Sequence, residues 1–390
     1  MRLSMNTRYA VIHASFWGAY GSLWAFIALV LEYNGFASAQ VGVVTSCATL
    51  LSVFLSPAVS SFLDARPGLE NRHGAMALLT LAAALCLLVW LVPLPRPFVL
   101  GACFALIGAF LSSTPPFQNA MAMDANRCGI PVVYGFCRGV GSVSYAAAVL
   151  LLGFVLERHA PTLLLPVFAA LTACGLLAMS GFRLPERPDE AADRPAEHRS
   201  IAAVLRSHPR FALTLLGCMF FFLTHTISNT YMNALVGKAG GTASAVGTSL
   251  AISAVLELPA MTLVSRLQKR FSPGFFLRFA AGAEVVKFLI FYLARSMPLI
   301  YLGHCMQFFQ FAVYAPATVY YVAAALPERD QLKGQSLIYV AGSGLGGALG
   351  NLLGGRLHDR SGIQAALLLG TVSAAASLLT FCLSTREDSR

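Results

Sequence analysis

The sequence predicts an all-α membrane protein whose twelve transmembrane helices form two six-helix bundles. Three observations carry this. Hydrophobic residues make up 57% of the 390 and charged residues only 11%, with a mean hydropathy of +0.69, whereas a soluble domain carries roughly 25% charge. The apolar residues fall into runs near the ~20 residues that cross a bilayer as helix. One long polar stretch divides the runs six and six. A bilayer core offers no water to unpaired backbone groups, so a chain that spans it this way is helical.

In order, the runs cover 9–31, 41–63, 74–94, 98–121, 132–155 and 162–182, then 211–235, 244–265, 274–294, 299–322, 332–354 and 363–383. The first has no small-residue cleavage site and leads straight into further spans, which makes it a retained helix and not a signal peptide. Between the two sets lies Arg183–Arg210, rich in Pro, Glu, Asp and Arg and unable to bury a core. The expected domains are therefore a bundle over 1–182, a cytoplasmic linker over 183–210 and a second bundle over 211–390. The linker's end, SIAAVLR, fits a short amphipathic helix on the membrane surface.

Charge placement sets the orientation. With the N-terminus in the cytoplasm, nineteen of the 27 Lys and Arg fall on that side and six on the other. Both termini are expected in the cytoplasm of a bacterium, with the chain in its inner membrane. The asymmetry accounts for the net charge of +10 and calls for no nucleic-acid partner. The nine cysteines show neither a disulfide framework nor metal-ligand spacing. HExxH, GxSxG and paired-Asp motifs are absent, so neither an enzyme nor a metal site is expected.

The halves resemble each other. Gly141-Ser142 in span 5 is followed twelve residues later by Gly153, and Gly342-Ser343 in span 11 by Gly354 at the same spacing; spans 2 and 8 open on Val41-Gly42 and Val246-Gly247 and carry Pro57 and Pro259. Small residues at helical spacing let backbones approach, and packing alone explains them. The repeat adds two similar bundles facing each other, the geometry of alternating access.

Charges inside spans cost at least ~2.5–3.5 kcal/mol each and usually face a partner or cavity. Four stand out: Arg138 in span 5, Glu257 in span 8, and Glu284 and Lys287 in span 9. Glu284 and Lys287 share a helix face and can compensate each other; Glu257 has no partner on its own helix. A carboxyl group in hydrocarbon favours its neutral form and releases its proton when water or a cation approaches, which is the chemistry of a proton carrier. A protonated side chain bonded to a backbone carbonyl is the structural alternative. Pro259, two residues on, leaves a carbonyl one turn earlier unbonded.

Polar side chains gather in three other spans: Gln118 and Asn119 after a proline pair in span 4, His225, Asn229 and Tyr231 in span 7, and His304, Gln307 and Gln310 in span 10. Amides donate and accept, which suits a solute bearing hydroxyl or carbonyl groups, and serves equally as glue between helices. Trp17, Tyr20 and Tyr145 can floor a pocket.

Several segments together resemble the major facilitator superfamily, in particular its branch of phenylpropionate, nucleoside and lactose proton symporters: AYGSLWAFIALVLEYNGFASAQVG, PPFQNAMA, YGFCRGVGSVSYAA, LELPAMTLVSRLQKRF and GQSLIYVAGSGLGGALGNLLGGRLHDRSG. The resemblance implies that Arg138 binds substrate and that Tyr145 stands where the lactose branch stacks an aromatic on sugar. Asn119 lies near an acid that partners this arginine in relatives, and here that acid is missing. Glu257 is similar to a span 8 acid of the nucleoside and phenylpropionate branches, and Lys287 stands where relatives often have arginine. Gln307 and Gln310 replace the proton-coupling histidine and glutamate of the lactose branch, so its relay does not transfer. LDARPGLENR departs from the superfamily's Asp-Arg-Gly turn, whose gating role would fall to Asp64 and Arg66.

These readings converge on secondary, proton-coupled uptake of a small organic solute by alternating access. Glu257, with Glu284 and Lys287, would handle the proton; Arg138, Asn119, Gln118, Tyr145, Tyr20, Trp17, His225, Asn229, Gln307 and Gln310 would hold the solute. The proton gradient replaces any cofactor, and the partners are the solute and the bilayer around a monomer. Proton-coupled efflux of drugs or metabolites stays open as the alternative, as does a polytopic membrane enzyme or receptor.

Overall fold

The computed structural model describes residues 4–66, 68–92, 96–185 and 201–385. Every regular element among them is helical. Twelve long helices follow the twelve apolar runs: α1 Met5–Tyr33, α2 Ser38–Asp64, α3 Asn71–Leu91, α4 Pro97–Arg127, α5 Tyr134–Val155, α6 Pro161–Ser180, α7 Pro209–Thr230, α8 Ala243–Leu267, α9 Pro273–Leu293, α10 Met297–Ala325, α11 over 328–361 and α12 Ile363–Ser384. Eleven of the described helices are long and apolar enough to cross a membrane. The helix that misses this measure is α9, which has the length but carries Arg278, Glu284 and Lys287 in its interior. Most of the expected linker, residues 186–200, lies outside the described residues; its end forms the helix Ile201–Ser207.

The helix ends follow local chemistry. Ser4 and Ser272 cap α1 and α9 by accepting the backbone N–H of Thr7 and Phe275, and proline opens α4, α6, α7 and α9, where its missing N–H is no loss. α11 runs seven residues beyond the expected 354 and stops at Gly362, whose φ of 74° only glycine adopts freely.

Three helices are interrupted where side chains matter most. α1 passes through a 3₁₀ turn at Trp24–Phe26, with the Trp24 ring lying in the space left by Gly108 of α4. α4 restarts at Pro115, placing Gln118 and Asn119 in the first turns of its second segment. α10 passes through a 3₁₀ turn at Met306–Phe308 that carries Gln307. α11 contains a π-helical stretch, Val340–Gly346, in its glycine run; both kinds of irregularity recur at functional places in helices.

Contacts divide the chain into two compact units, Met1–Glu190 with Ala243–Ala254, and Ala191–Thr242 with Val255–Arg390. In the first, α5 packs along α1, and glycines make the approach possible: a Cβ on Gly18 would meet Ser144 Oγ at 2.8 Å, and one on Gly141 would meet Trp17 Cδ1 at 2.6 Å. The same unit brings Gly153 against the backbone of Ala243 and Gly247. In the second, α7 packs on α11 through Gly342, Gly346, Gly350 and Gly354, the last against Tyr231 and Ile227. Its core runs through Phe211, Phe221, Leu277, Tyr314, Tyr321 and Phe381, with Phe221 and Tyr314 stacked at 3.9 Å. All nine cysteines are free.

Candidate functional site

The first unit assembles a ladder of rings and one cation between α1 and α5. Residues 9, 13, 17 and 20 share a face of α1, and residues 134, 138, 141 and 145 share a face of α5, because both sets repeat every three or four positions. The Arg138 guanidinium lies 4.0 Å from the Trp17 ring and donates to Ser142 Oγ at 2.8 Å. Tyr20 faces Tyr145 with ring centroids 6.5 Å apart, and Trp17 contacts Tyr20 at 5.6 Å. α4 closes one end: Tyr134 donates to Asn119 Oδ1 at 3.1 Å, and Tyr9 donates to the Gln118 backbone carbonyl at 2.8 Å. Gln118 itself is fully buried, and neither atom of its amide has a hydrogen-bond partner.

The second unit joins three helices through one amide. Lys287 of α9, 2% exposed, donates from Nζ to Gln307 Oε1 at 2.9 Å; Gln307 of α10, 4% exposed, donates from Nε2 to Glu257 Oε1 of α8, also at 2.9 Å. Glu257 is half-buried. The carboxylate with no partner on its own helix therefore has one across the bundle, and the amide dipole is aligned between an ammonium and a carboxyl group. Each of these hydrogen bonds involves a charged group and belongs to the stronger class.

Glu284 departs from the expected pairing. It is fully buried, neither oxygen accepts a hydrogen bond, and it forms no salt bridge with Lys287 although the two interact electrostatically at longer range. Helical spacing puts the pair on one face, but the ammonium is drawn toward Gln307. His225 stacks on Phe311 at 4.5 Å, with Asn229 Nδ2 3.0 Å from its Nε2. Gln310 is fully buried with an unpartnered amide. His304 lies 3.2 Å from the Met232 sulfur.

With this geometry in place, the chain matches the MFS_1 like family over residues 6–369. It belongs to that family. The MFS_1 like chain is similar to the maltose permease of Geobacillus stearothermophilus, 26% identical over 377 residues that cover 95% of this chain and 92% of the permease. It is also similar to an uncharacterized transporter, YwbF, of Bacillus subtilis strain 168, 22% identical over 395 residues, with 100% and 96% covered. Among solved structures, the nucleoside transporter NupG superposes with a TM-score of 0.81 at 16% identity over the full length of both chains. An inward-facing bacterial homologue of the lysosomal transporter Spinster gives 0.72 at 15%, covering 98% and 97%. The MFS_1 like protein thus has the major facilitator fold and is a membrane transporter, not an enzyme.

The expected gating residues of this MFS_1 like chain end α2. Asp64 and Arg66 are both exposed; the Arg66 guanidinium lies 3.5 Å from the Phe62 ring, and neither forms a salt bridge among the described residues. The neighbouring polar contacts are Arg72 with Glu70 at 3.0 Å and Asn71 donating to Asp124 at 2.7 Å. Sequence reasoning missed His13, buried on the α1 face with both ring nitrogens unpartnered. The available signal was the spacing of Tyr9, His13, Trp17 and Tyr20 in a single helical stripe.

Proposed function

We propose that this transporter takes up a ring-containing, hydroxyl-rich solute such as a sugar or nucleoside together with a proton, by alternating access. The observation that carries the coupling is the chain Glu257–Gln307–Lys287. While Glu257 is ionised, the amide donates to it and offers its carbonyl to the ammonium. Once Glu257 takes a proton it becomes a donor as well, and the acceptor nearest it is the Gln307 carbonyl that holds Lys287. Protonation on α8 is thereby communicated to a cation on α9 through a side chain on a 3₁₀ turn of α10. Glu284, buried beside Lys287 without a hydrogen bond, is the second group able to exchange a proton here.

The first unit supplies the solute-contacting groups: Arg138 on Trp17, the Tyr20–Tyr145 pair, and Asn119 with Gln118. In the second, His225, Asn229 and Gln310 join them. Aromatic faces beside hydrogen-bonding edges suit a sugar or nucleoside ring. The similarity to a maltose permease and to a nucleoside transporter supports that class. The reading includes a bacterial inner membrane location, cytoplasmic termini, a monomer, no cofactor, and a gating role for the α2 end at Asp64 and Arg66.

Purified protein in liposomes with an imposed inward proton gradient tests it. Labelled maltose or uridine should accumulate against its gradient, and Glu257→Gln should abolish accumulation while leaving exchange of labelled for unlabelled solute. Accumulation undiminished in Glu257→Gln would remove the acid from the mechanism, and proton-driven extrusion from inverted vesicles would reverse the direction.

A further inference from the structure

His13 sits one turn before Trp17 on the ladder face of α1. It is 1% exposed, and neither Nδ1 nor Nε2 has a hydrogen-bond partner. The Tyr9 ring stands edge-on to it at 4.7 Å and the Tyr134 ring edge-on at 6.0 Å. The Arg138 guanidinium is close enough to act on it electrostatically, and α5 is pressed against its backbone, since a Cβ on Gly141 would lie 3.2 Å from the His13 carbonyl oxygen.

Buried polar atoms in native proteins nearly always find partners, and each exception calls for an explanation. Here the exceptions fall in one neighbourhood: both nitrogens of His13, the Trp17 indole N–H and both atoms of the Gln118 amide. Tyr9 links them, with its ring on His13 and its hydroxyl on the Gln118 backbone carbonyl. Packing explains the rings of this cluster but not its unused donors and acceptors. A neutral imidazole offers one donor and one acceptor, the pattern a hydroxyl group answers in reverse, whereas the guanidinium beside it only donates.

Tyr134 stands over this cluster. It is 40% exposed, opens α5, and is tethered to α4 by its hydrogen bond to Asn119; Gly135, next to it, has open space where a side chain would be. We propose that His13 is a specificity-determining residue of the first unit: when Tyr134 turns aside, the imidazole donates to and accepts from a hydroxyl of the solute, with the Trp17 N–H and the Gln118 amide completing a neutral hydrogen-bonding set beside Arg138. The inference rests on the reading of the solute as a sugar or nucleoside and names the group that reads its hydroxyls.

Two variants separate ring from nitrogens. His13→Phe keeps an aromatic against Tyr9 and Tyr134; His13→Gln keeps a donor and an acceptor. Equilibrium binding of maltose, uridine and their singly deoxygenated analogues is measured on purified full-length protein in nanodiscs. In His13→Phe the parent solute should bind roughly 10- to 100-fold more weakly while one deoxy analogue keeps its wild-type affinity, and His13→Gln should recover most of the difference. An unchanged ratio of parent to every deoxy analogue in His13→Phe overturns the inference. Should that variant fail to fold, site-resolved modification of His13 by diethyl pyrocarbonate decides instead. Labelling should be faster in Tyr134→Ala than in wild type and suppressed by saturating parent solute; no acceleration, or no protection, overturns it. Wild-type protein that binds neither maltose nor uridine defeats the solute class itself and the inference with it, whereas binding that discriminates equally well without the imidazole defeats the inference alone.

Discussion

The first and fifth helices of each unit occupy equivalent places in the repeat and are built differently. Between α1 and α5 stand rings and a guanidinium: Trp17 under Arg138, Tyr20 facing Tyr145, His13 beside Tyr134. Between α7 and α11 there is almost no side chain at all. A Cβ on Gly346 or Gly350 would collide with the carbonyl oxygen of Met219 or Leu223, and the π-helical stretch Val340–Gly346 runs along this seam. The second unit places its charges elsewhere, on α8, α9 and α10, joined by Gln307. One helix order thus supports two uses of the interior: a seam that presents recognition chemistry, and a bare seam that leaves an ionic chain to neighbouring helices.

The comparison is broken most directly by removing the ionic chain. Glu257→Gln is expected to reduce proton-driven accumulation to equilibration in liposomes, with counterflow retained; a variant in the α1–α5 ladder that did the same would erase the division of labour. Next in size, Lys287→Met leaves Glu257 without its cation. Breaking a buried charge pair costs about 3–5 kcal/mol, so the melting temperature in detergent should fall sharply, and the double variant Glu257→Gln/Lys287→Met should recover part of the loss because the two effects are coupled.

The glycine seam gives a smaller, purely steric test. Gly350→Ala forces a methyl group onto the Leu223 carbonyl and should destabilise by about 1–3 kcal/mol, while Gly282→Ala in α9, with nothing within 4 Å of the added carbon, should change stability by less than about 1 kcal/mol. Thermal melts of the two variants side by side measure the difference. Arg138→Lys sharpens the other half of the comparison. It gives up the planar stack on Trp17, a contact of about 0.5–2 kcal/mol, so solute affinity should drop roughly 3- to 30-fold with proton coupling unchanged. The smallest effect belongs to Arg66→Ala, which removes an exposed contact with Phe62 and should shift stability by no more than about 0.5–1 kcal/mol; transport kinetics measured on the same variant report on gating.

Much of the architecture was legible because hydropathy and helix length are local properties. The run over 274–294 was readable as a span despite its three charges, since its length and flanks matched its neighbours. α11 extended past the expected end because Gly354 and Gly355 continue the helix, and the chain turns only at Gly362, where φ is positive. The candidate site was legible in its residue types and much less in its pairings. Glu257 stood out as a carboxylate in hydrocarbon, but nothing local linked it to an amide fifty residues away. Glu284 and Lys287 sit at ion-pair spacing on one helix, yet Gln307 takes the ammonium. His13 was masked among aromatics; only the positions of α5 and α4 reveal that its nitrogens have no partner.

What the amino-acid order determined alone is the solvent, the helices and their number, the twofold repeat, and the short roster of polar groups inside the spans. Each of these follows from neighbours within about one span. Which of those groups meet was decided only by the tertiary structure, because a hydrogen bond of 2.9 Å between α9 and α10 depends on helix rotation, on a 3₁₀ turn at Gln307 and on glycines that set how closely backbones pack. Those quantities arise from the packed bundle as a whole, and no single stretch of the chain encodes them.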